Sequence, residues 1–306
     1  MKGLDKKVSL GELCSLFGYK RQNFYKVRTT YKWRRMYEDE VLSIVREVRV
    51  DQPKIGTFKL QSILNSRLSE PIGRDRLNNL LRDKKLLVRR RKKYRPKMTD
   101  GNGKSLYPDF RKGLKVKRIN QLWCSDFTYI MLLRGGRHCY LLLITDEYSH
   151  LIVGYHLGLR MRSAELLIGL EKALIKQLPE GKQQFDDPLI FHSDRGGQYK
   201  SEEFKKRCDK HNIVLSMCAK GRSHENPVAE RVNGILKNEL LEEDSFADID
   251  SARNAIEKAI LVYNKKRPHL SCEMLTPQQA HAKGSGPLKK LWRQRKKRTK
   301  KNAPQT

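Results

Sequence analysis

The residues best suited to chemistry in this chain are three acids. Asp126 sits in the run Trp123-Cys124-Ser125-Asp126-Phe127-Thr128-Tyr129-Ile130. Asp194 directly follows Pro188-Leu189-Ile190-Phe191-His192-Ser193, and Glu230 closes Asn226-Pro227-Val228-Ala229-Glu230. Hard divalent cations take oxygen ligands, and two ions about 3.5–4 Å apart need carboxylates from several segments on a rigid scaffold. Carboxylates crowded together repel by roughly 4 kcal/mol per close pair at an effective dielectric of about 20, so such a cluster is tolerated where a cation occupies it. The chemistry this permits is phosphoryl transfer at a phosphodiester, with one ion activating the nucleophile and the other stabilising the leaving oxygen in line. A single Asp is more often a surface or turn carboxylate; the topological positions of all three carry the reading.

Other acids compete for the same role. Asp146-Glu147 follows an apolar run and reads as the start of a turn, which Asp favours. Asp186-Asp187-Pro188 reads as a loop. Asp126 is therefore preferred to Asp146 as a ligand.

The acids need elements to position them. Trp123 to Leu133 is a strand, Arg134-Gly135-Gly136-Arg137 a hairpin turn, and His138 to Thr145 and Leu151 to His156 two further strands of an antiparallel meander. Leu166, Leu167, Leu170, Ala173 and Leu174 give Ser163 to Gln177 helical spacing. Pro188 to Ser193 is a buried strand, Glu202 to Lys210 a helix, Ile213 to Met217 a short strand and Pro227 to Leu241 a helix. Asn226 suits the N-cap and Pro227 the first helical position, which puts Glu230 one turn in. Lys237 returns to nearly the same face about 10 Å further along. The order β-β-β-α-β-α-β-α, with acids in the first strand, after the fourth and on a late helix, is that of an α/β RNase H-like core with a mixed five-stranded sheet.

The remainder of the chain is dominated by positive charge. Sixty-five Lys and Arg stand against 34 Asp and Glu, a formal net charge of +31. The first 120 residues hold 33 basic and 12 acidic side chains, an excess of 21. A field of that sign attracts phosphate backbones and releases their counterions. Ser9-Leu10-Gly11-Glu12 has capping-box spacing, Gly18 breaks the run, and Tyr19 to Lys26 begins a second, basic helix. The pattern predicts a helix-turn-helix segment over 1–34, with Lys20 and Arg21 facing DNA. Val41, Ile44, Val45 and Val48 mark a further helix, Lys54-Ile55-Gly56 opens another, and Pro71-Ile72-Gly73-Arg74 a third. In the third, Leu77, Leu80 and Leu81 turn inward while Arg74, Arg76 and Arg82 turn outward. An all-α DNA-binding domain over 35–90 follows. Arg89 to Lys97 opens a basic linker over 91–117, the catalytic core is expected over 118–282, and a basic tail fills 283–306, with nine Lys and Arg between Lys289 and Lys301.

Three blocks carry a family resemblance. Trp123 to Ile130, His192-Ser193-Asp194-Arg195-Gly196-Gly197-Gln198-Tyr199 and Asn226 to Lys237 resemble the signature blocks of the insertion-sequence-three family, bacterial transposases similar to retroviral integrases. Thirty-five residues separate Asp194 from Glu230, the spacing of that family's D,D,E triad. Tyr263-Asn264, Arg267-Pro268-His269 and Thr276-Pro277 resemble its C-terminal block, so the likeness runs from about Val41 to about Ala280. Ser223-His224-Glu225 departs from the pattern, where many members carry a Cys- or Tyr-Asp pair. The resemblance implies a DNA transposase in which Asp126, Asp194 and Glu230 hold two Mg²⁺ ions, with Mn²⁺ able to substitute. It implies that Lys237 contacts DNA beside the metals, helped by Arg231 and Asn233. Gln198 and Tyr199 either touch DNA or brace the loop after Asp194. It further implies metal-dependent 3′-end cleavage and strand transfer, a homo-oligomer on paired element ends, and a companion protein from an upstream overlapping frame.

Two other functions are compatible with the same residues: a metal-dependent nuclease that only hydrolyses, and a non-catalytic DNA-binding regulator. A basic RNA-binding protein fits less well for want of aromatic RNP-type strands. No GxxxxGK[ST] motif calls for ATP. The six cysteines are scattered without a CxxC pair, and Cys208 with His211 lacks a second pair at zinc-finger distance. With no secretory signal and no apolar run of about 18 residues, a cytoplasmic, nucleoid-associated protein is expected.

Overall fold

The computed structural model describes residues 9–88, 106–133, 138–218, 226–241 and 245–291. The expected hairpin turn at Arg134 to Arg137, the Ser223-His224-Glu225 departure, the basic run from Arg89 and the tail beyond residue 291 lie outside the described residues. The N-terminal elements are α1 (Leu10–Leu16), α2 (Arg21–Asp51), α3 (Thr57–Asn65) and α4 (Arg74–Asp83). The Ser9–Glu12 capping box forms in both directions: Glu12 N donates to Ser9 Oγ and Ser9 N to Glu12 Oε2. Gly18 takes a left-handed φ of +70° between α1 and α2, a conformation that costs glycine nothing.

One expectation changes here. The second helix of the supposed helix-turn-helix and the helix read from Val41 are a single helix of 31 residues, α2, which crosses the expected boundary at 34/35. Nothing between Tyr25 and Val41 breaks it, since no Gly or Pro intervenes. Only its C-terminal part is buried: Val41, Leu42, Val45 and Val48 join Leu60, Leu64, Leu77 and Leu81 in one apolar cluster.

The core is a twisted sheet between two layers of helices. Strands β1 (Leu122–Leu132), β2 (His138–Asp146) and β3 (Ile152–Gly158) form the antiparallel meander; β4 (Leu189–Ser193) and β5 (Ile213–Met217) add in parallel on the other side of β1. The order is β3-β2-β1-β4-β5, and a two-residue sixth strand, β6 (Ser245–Phe246), pairs with the far end of β1. The helices are α5 (Ser163–Gln177), α6 (Glu202–Lys210), α7 (Pro227–Ile235), α8 (Ile249–Lys266) and α9 (Pro277–Ala282). Alternation along β2 explains the layering: Leu142 and Ile144 face α5 and α6, while Leu141 and Leu143 face α7 and α8. At Gly154 of β3 a Cβ would stand 2.8 Å from Ala173 Cβ of α5, so the helix seats only because a glycine is there.

The segments expected as linker and tail lie partly on the core. Met217 N donates to Pro108 O and Phe110 N to Ser216 Oγ, at 3.3 and 3.0 Å. Gly286 N donates to Lys117 O, and Arg118 bridges to Ser285. The helical bundle also touches the core: Gln52 Nε2 donates to Lys266 O, Lys266 pairs with Asp51, and Lys59 Nζ lies 3.6 Å from Glu239. Among the described residues no helix is long and apolar enough to cross a membrane, and all six cysteines are buried and outside any disulfide.

Candidate active site

Asp126 stands mid-strand in β1, and Asp194 directly follows the neighbouring parallel strand β4, level with Asp126 in the register that pairs Cys124 with His192. Asp126 Oδ2 accepts a hydrogen bond from Asn233 Nδ2 at 2.8 Å, and Asp194 Oδ1 accepts from Gly196 N at 2.9 Å. Burial, with repulsion from Asp194 and a smaller push from Glu230, drives the Asp126 carboxyl up to about 7 against the bond from Asn233. Asp194 is raised as well, chiefly by burial, with the Gly196 bond and Lys200 opposing. Two half-buried carboxylates, with the charge of Asp194 raising the cost of ionising Asp126, are a site that a cation would relieve.

Glu230 is carried on α7 and its side chain is exposed. Among the described residues no three His, Cys, Asp or Glu side chains are close enough to hold one metal ion. The expected triad therefore appears as a pair of aspartates with the glutamate on the adjoining helix, near enough to act on Asp126 electrostatically. The helix itself is pinned to β1 on both sides of Glu230. Asn226 Nδ2 donates to Ser125 O at 2.9 Å, and Asn233 reaches Asp126 one turn beyond the glutamate. Ala229 packs on Leu122 and Cys124. Asn226 occupies the N-cap position without making the expected side-chain cap, because its amide is committed to the strand.

The other expected site residues divide. Lys237 does not continue α7: the helix gives way after Ile235 to a π turn over Leu236–Leu240. That turn aims Lys237 Nζ at Thr128 Oγ1, 2.8 Å away, with the ammonium 4.7 Å from the Tyr129 ring centre. Burial lowers its pKa and Asp126 opposes the fall. Tyr199 is a correction: expected as a possible DNA contact, it is 1% exposed, packs edge-on against Phe127 and Phe204, and its hydroxyl shares a 3.0 Å bond with Ser125 Oγ. Its aromatic ring fills the core beneath the Asp194 loop. Asn233 is likewise 6% exposed and holds Asp126 instead of reaching outward. Gln198 folds its amide back over Gly196, where a Cβ would require that flexible side chain to move aside. Arg231 is exposed on α7. Lys20 and Arg21 are exposed at the start of α2, Arg74 pairs with Asp75, and Arg76 stacks over Tyr37 at 4.5 Å; none of these four adjoins the acids.

Asp146 is settled as structural. It is fully buried and accepts from Asn120 N, Ser149 N and Ser149 Oγ at 2.7–2.9 Å, closing the turn after β2. Asp186 and Asp187 are exposed and paired with Lys182 and Arg118. Sequence reasoning missed Thr128, which period-two alternation from Asp126 would have found on the same face, and the tether at Asn226. It also missed helix α8, although Ala252, Ile256, Ala259, Ile260 and Tyr263 show the helical spacing.

Comparison with known proteins gives concordant results. Residues 116–223 match a family model described as an integrase core domain, and residues 211–277 match a second model of the same description. The chain is 30% identical over 270 residues to the uncharacterized 31 kDa protein of insertion element IS600 from Shigella sonnei, an alignment spanning 87% of this chain and 96% of that one. It is 31% identical over 161 residues to transposase InsF for insertion sequence IS3fB from Escherichia coli strain K12, spanning 52% of this chain and 53% of that one. The catalytic core domain of HTLV-2 integrase in complex with magnesium aligns with 54% of this chain and 97% of that chain at 24% identity, with a TM-score of 0.41. A score that low leaves the fold assignment to the strand order and the helix layers.

Proposed function

This chain belongs to the insertion-sequence-three family of DDE transposases, and on that premise we propose that it cuts and joins DNA phosphodiesters at Asp126, Asp194 and Glu230, beside the inner strands β1 and β4. The observation that carries the reading is the pinning of α7 to β1 at Asn226 and Asn233, on either side of Glu230, beside two aspartates that repel one another. The carboxylate oxygens of Asp126 and Asp194, joined by Glu230, would hold two Mg²⁺ ions, or Mn²⁺ in their place. When bound these ions supply Lewis-acid stabilisation of the attacked phosphate.

Each side chain has a separable task. Asn233 fixes one oxygen of Asp126 and so orients the other. Gly196 N does the same for Asp194, and its lack of a Cβ lets Gln198 fold across the loop. Lys237, held by Thr128, places a positive charge beside Asp126 where a phosphate would lie. In the first reaction the oxygen of water bonds to phosphorus, the bond from phosphorus to the element's terminal 3′-oxygen breaks, and that oxygen takes a proton, leaving a 3′-OH on the element end and a 5′-phosphate on the flank. In the second that 3′-OH bonds to a target phosphorus and a target 3′-oxygen leaves. Neither step needs a covalent link to protein.

The same reading places the DNA contacts outside the acids at Lys20, Arg21, Arg74 and Arg76 of the helical region, with Arg231 and Gln198 near the core. It takes the helical segment and helical domain as one N-terminal helical region joined through α2, followed by the basic linker, core and tail, with a homo-oligomer acting on paired ends in the bacterial cytoplasm and an upstream-frame companion. An assay with a pre-cut element end and a target plasmid tests it. Joined product that disappears in Asp194→Asn supports strand transfer. Hydrolysis without joining would make the protein a nuclease, and equal behaviour of wild type and variant would make it a non-catalytic DNA binder.

A further inference from the structure

A cavity of about 1090 Å³ opens where the helical bundle meets the core, and none of the three acids lines it. Its wall takes cations from four stretches of chain: Lys59 of α3; Arg111, Lys115 and Lys117 before β1; Arg231 of α7; and Lys290 near the C-terminus. Glu147 is the one acid among its described lining residues, and it is paired with Arg111 at 3.0 Å. Arg267, also in the wall and 1% exposed, is paired with Glu239 at 2.6 Å. Among the described lining residues the cations outnumber the acids. Burial, then the nearby Arg267 and Arg231, bring the Lys59 ammonium down to about 8 in spite of Glu239. His150 is held down at about 4 by burial, with Lys290 and Arg231 adding to the fall and Glu147 opposing it.

Two side chains point to an occupant. Tyr263 and Tyr148 both line the cavity, at 0% and 7% exposure, and neither hydroxyl has a hydrogen-bond partner among the described residues. A buried hydroxyl left unpaired is costly, and each is a ready donor to an anionic oxygen. Leu114, Val228 and Leu270 give the cavity an apolar share suited to sugar or base.

We propose that this cleft is a second nucleic-acid site, distinct from the carboxylates, which seats the phosphate backbone of a DNA strand. Phosphate is the anion that cations from four segments can share along a chain, and a single free phosphate would fill only a small part of the volume. The inference rests on the transposase reading only in taking DNA as the source of the phosphates. Arg231 directly follows Glu230 on α7 and points about 100° around the helix from it, so the acid site and the cleft flank the same helix. The same strand would touch Lys59 of the bundle and Arg231 of the core, fastening one to the other.

The test uses the full chain in EDTA, so that binding is read without catalysis and its failure leaves the phosphoryl-transfer reading untouched. Affinity for a short labelled single strand is measured against salt. Replacing Lys115, Lys117 and Lys290 with Gln together is expected to flatten the slope of log K on log salt by about 2, the value for three cations on single-stranded phosphates. The same replacement of Lys205, Lys206 and Lys210 on α6 should change it by far less. Tyr263→Phe should weaken binding about tenfold while leaving the melting temperature equal or higher, since it removes only an unpaired hydroxyl. Equal slopes for the two triple variants would overturn the site, as would a Tyr263→Phe protein that binds like wild type. A thermal shift by inorganic tripolyphosphate that vanishes in the first triple variant while strand binding persists would overturn the strand assignment in favour of a free polyphosphate.

Discussion

On one side of helix α7 negative charge is crowded; on the other, positive. Toward β1 the aspartates at 126 and 194 stand half-buried side by side and their ionisation is opposed. Toward the helical bundle Lys59, Arg111 and Arg231 line a cavity with a single acid. The first region calls for a cation and the second for an anion. They also differ in how they are held. The acid site is built on paired strands and fixed by hydrogen bonds of 2.8–2.9 Å from Asn233, Asn226 and Gly196. The cleft is assembled from six segments, one of them reached through a few polar contacts such as Gln52 to Lys266. Chemistry that tolerates little misplacement sits on the rigid part, and backbone binding that tolerates more sits where two parts meet.

That contrast can be broken experimentally. The largest effect is expected from Asp194→Asn, which should reduce cleavage and joining by about a thousandfold or more while leaving the salt slope of strand binding unchanged. A loss of both would merge the two regions into one. Next is pH. Burial and the charge of Asp194 push the Asp126 carboxyl up to about 7 from its ordinary 3.8, so the folded state holds its proton more tightly than the unfolded chain. Its contribution is complete below about pH 4 and is lost as pH rises through about 7, a fall of a few kcal/mol in metal-free stability. Thermal melts in EDTA should show that decline, Mg²⁺ should raise the melting temperature more at pH 8 than at pH 5, and Asp126→Asn should flatten the decline.

On the cleft side, Glu239→Gln leaves Arg267 buried with its charge partner gone. Urea denaturation should register a loss of about 3 kcal/mol; a loss below about 1 kcal/mol would show that the guanidinium finds water or another partner. The smallest effect is that of Asn233→Ala, which should slow joining about 10- to 100-fold by freeing Asp126, with single-strand affinity unaltered.

Much of this arrangement was legible in the chain. Ser163–Gln177, Glu202–Lys210 and Ile213–Met217 lie where apolar periodicity places them, because each buries one face against the sheet and carries clear boundary residues. Asp126, Asp194 and Glu230 were identifiable from their order among those elements. What periodicity could not convey was side-chain commitment. Asn226 has the type of a helix cap, yet its amide is taken by Ser125 O; Tyr199 follows a glycine loop, yet turns its ring into the core. The π turn that redirects Lys237 leaves no local mark, since its residues have ordinary helical propensity. The cleft was invisible for a further reason: its lining comes from residues 59 to 290 and exists only once the bundle packs on the core.

The most direct test concerns Glu230, the acid whose side chain the fold leaves exposed beside the half-buried pair. Strand transfer from a pre-cut end should be measured in Mg²⁺ for wild type and Glu230→Gln at DNA concentrations that saturate both. Joining by wild type and none by the variant, with DNA affinity and melting temperature unchanged, is the predicted result; joining by Glu230→Gln at the wild-type rate would contradict the assignment of a shared three-carboxylate centre.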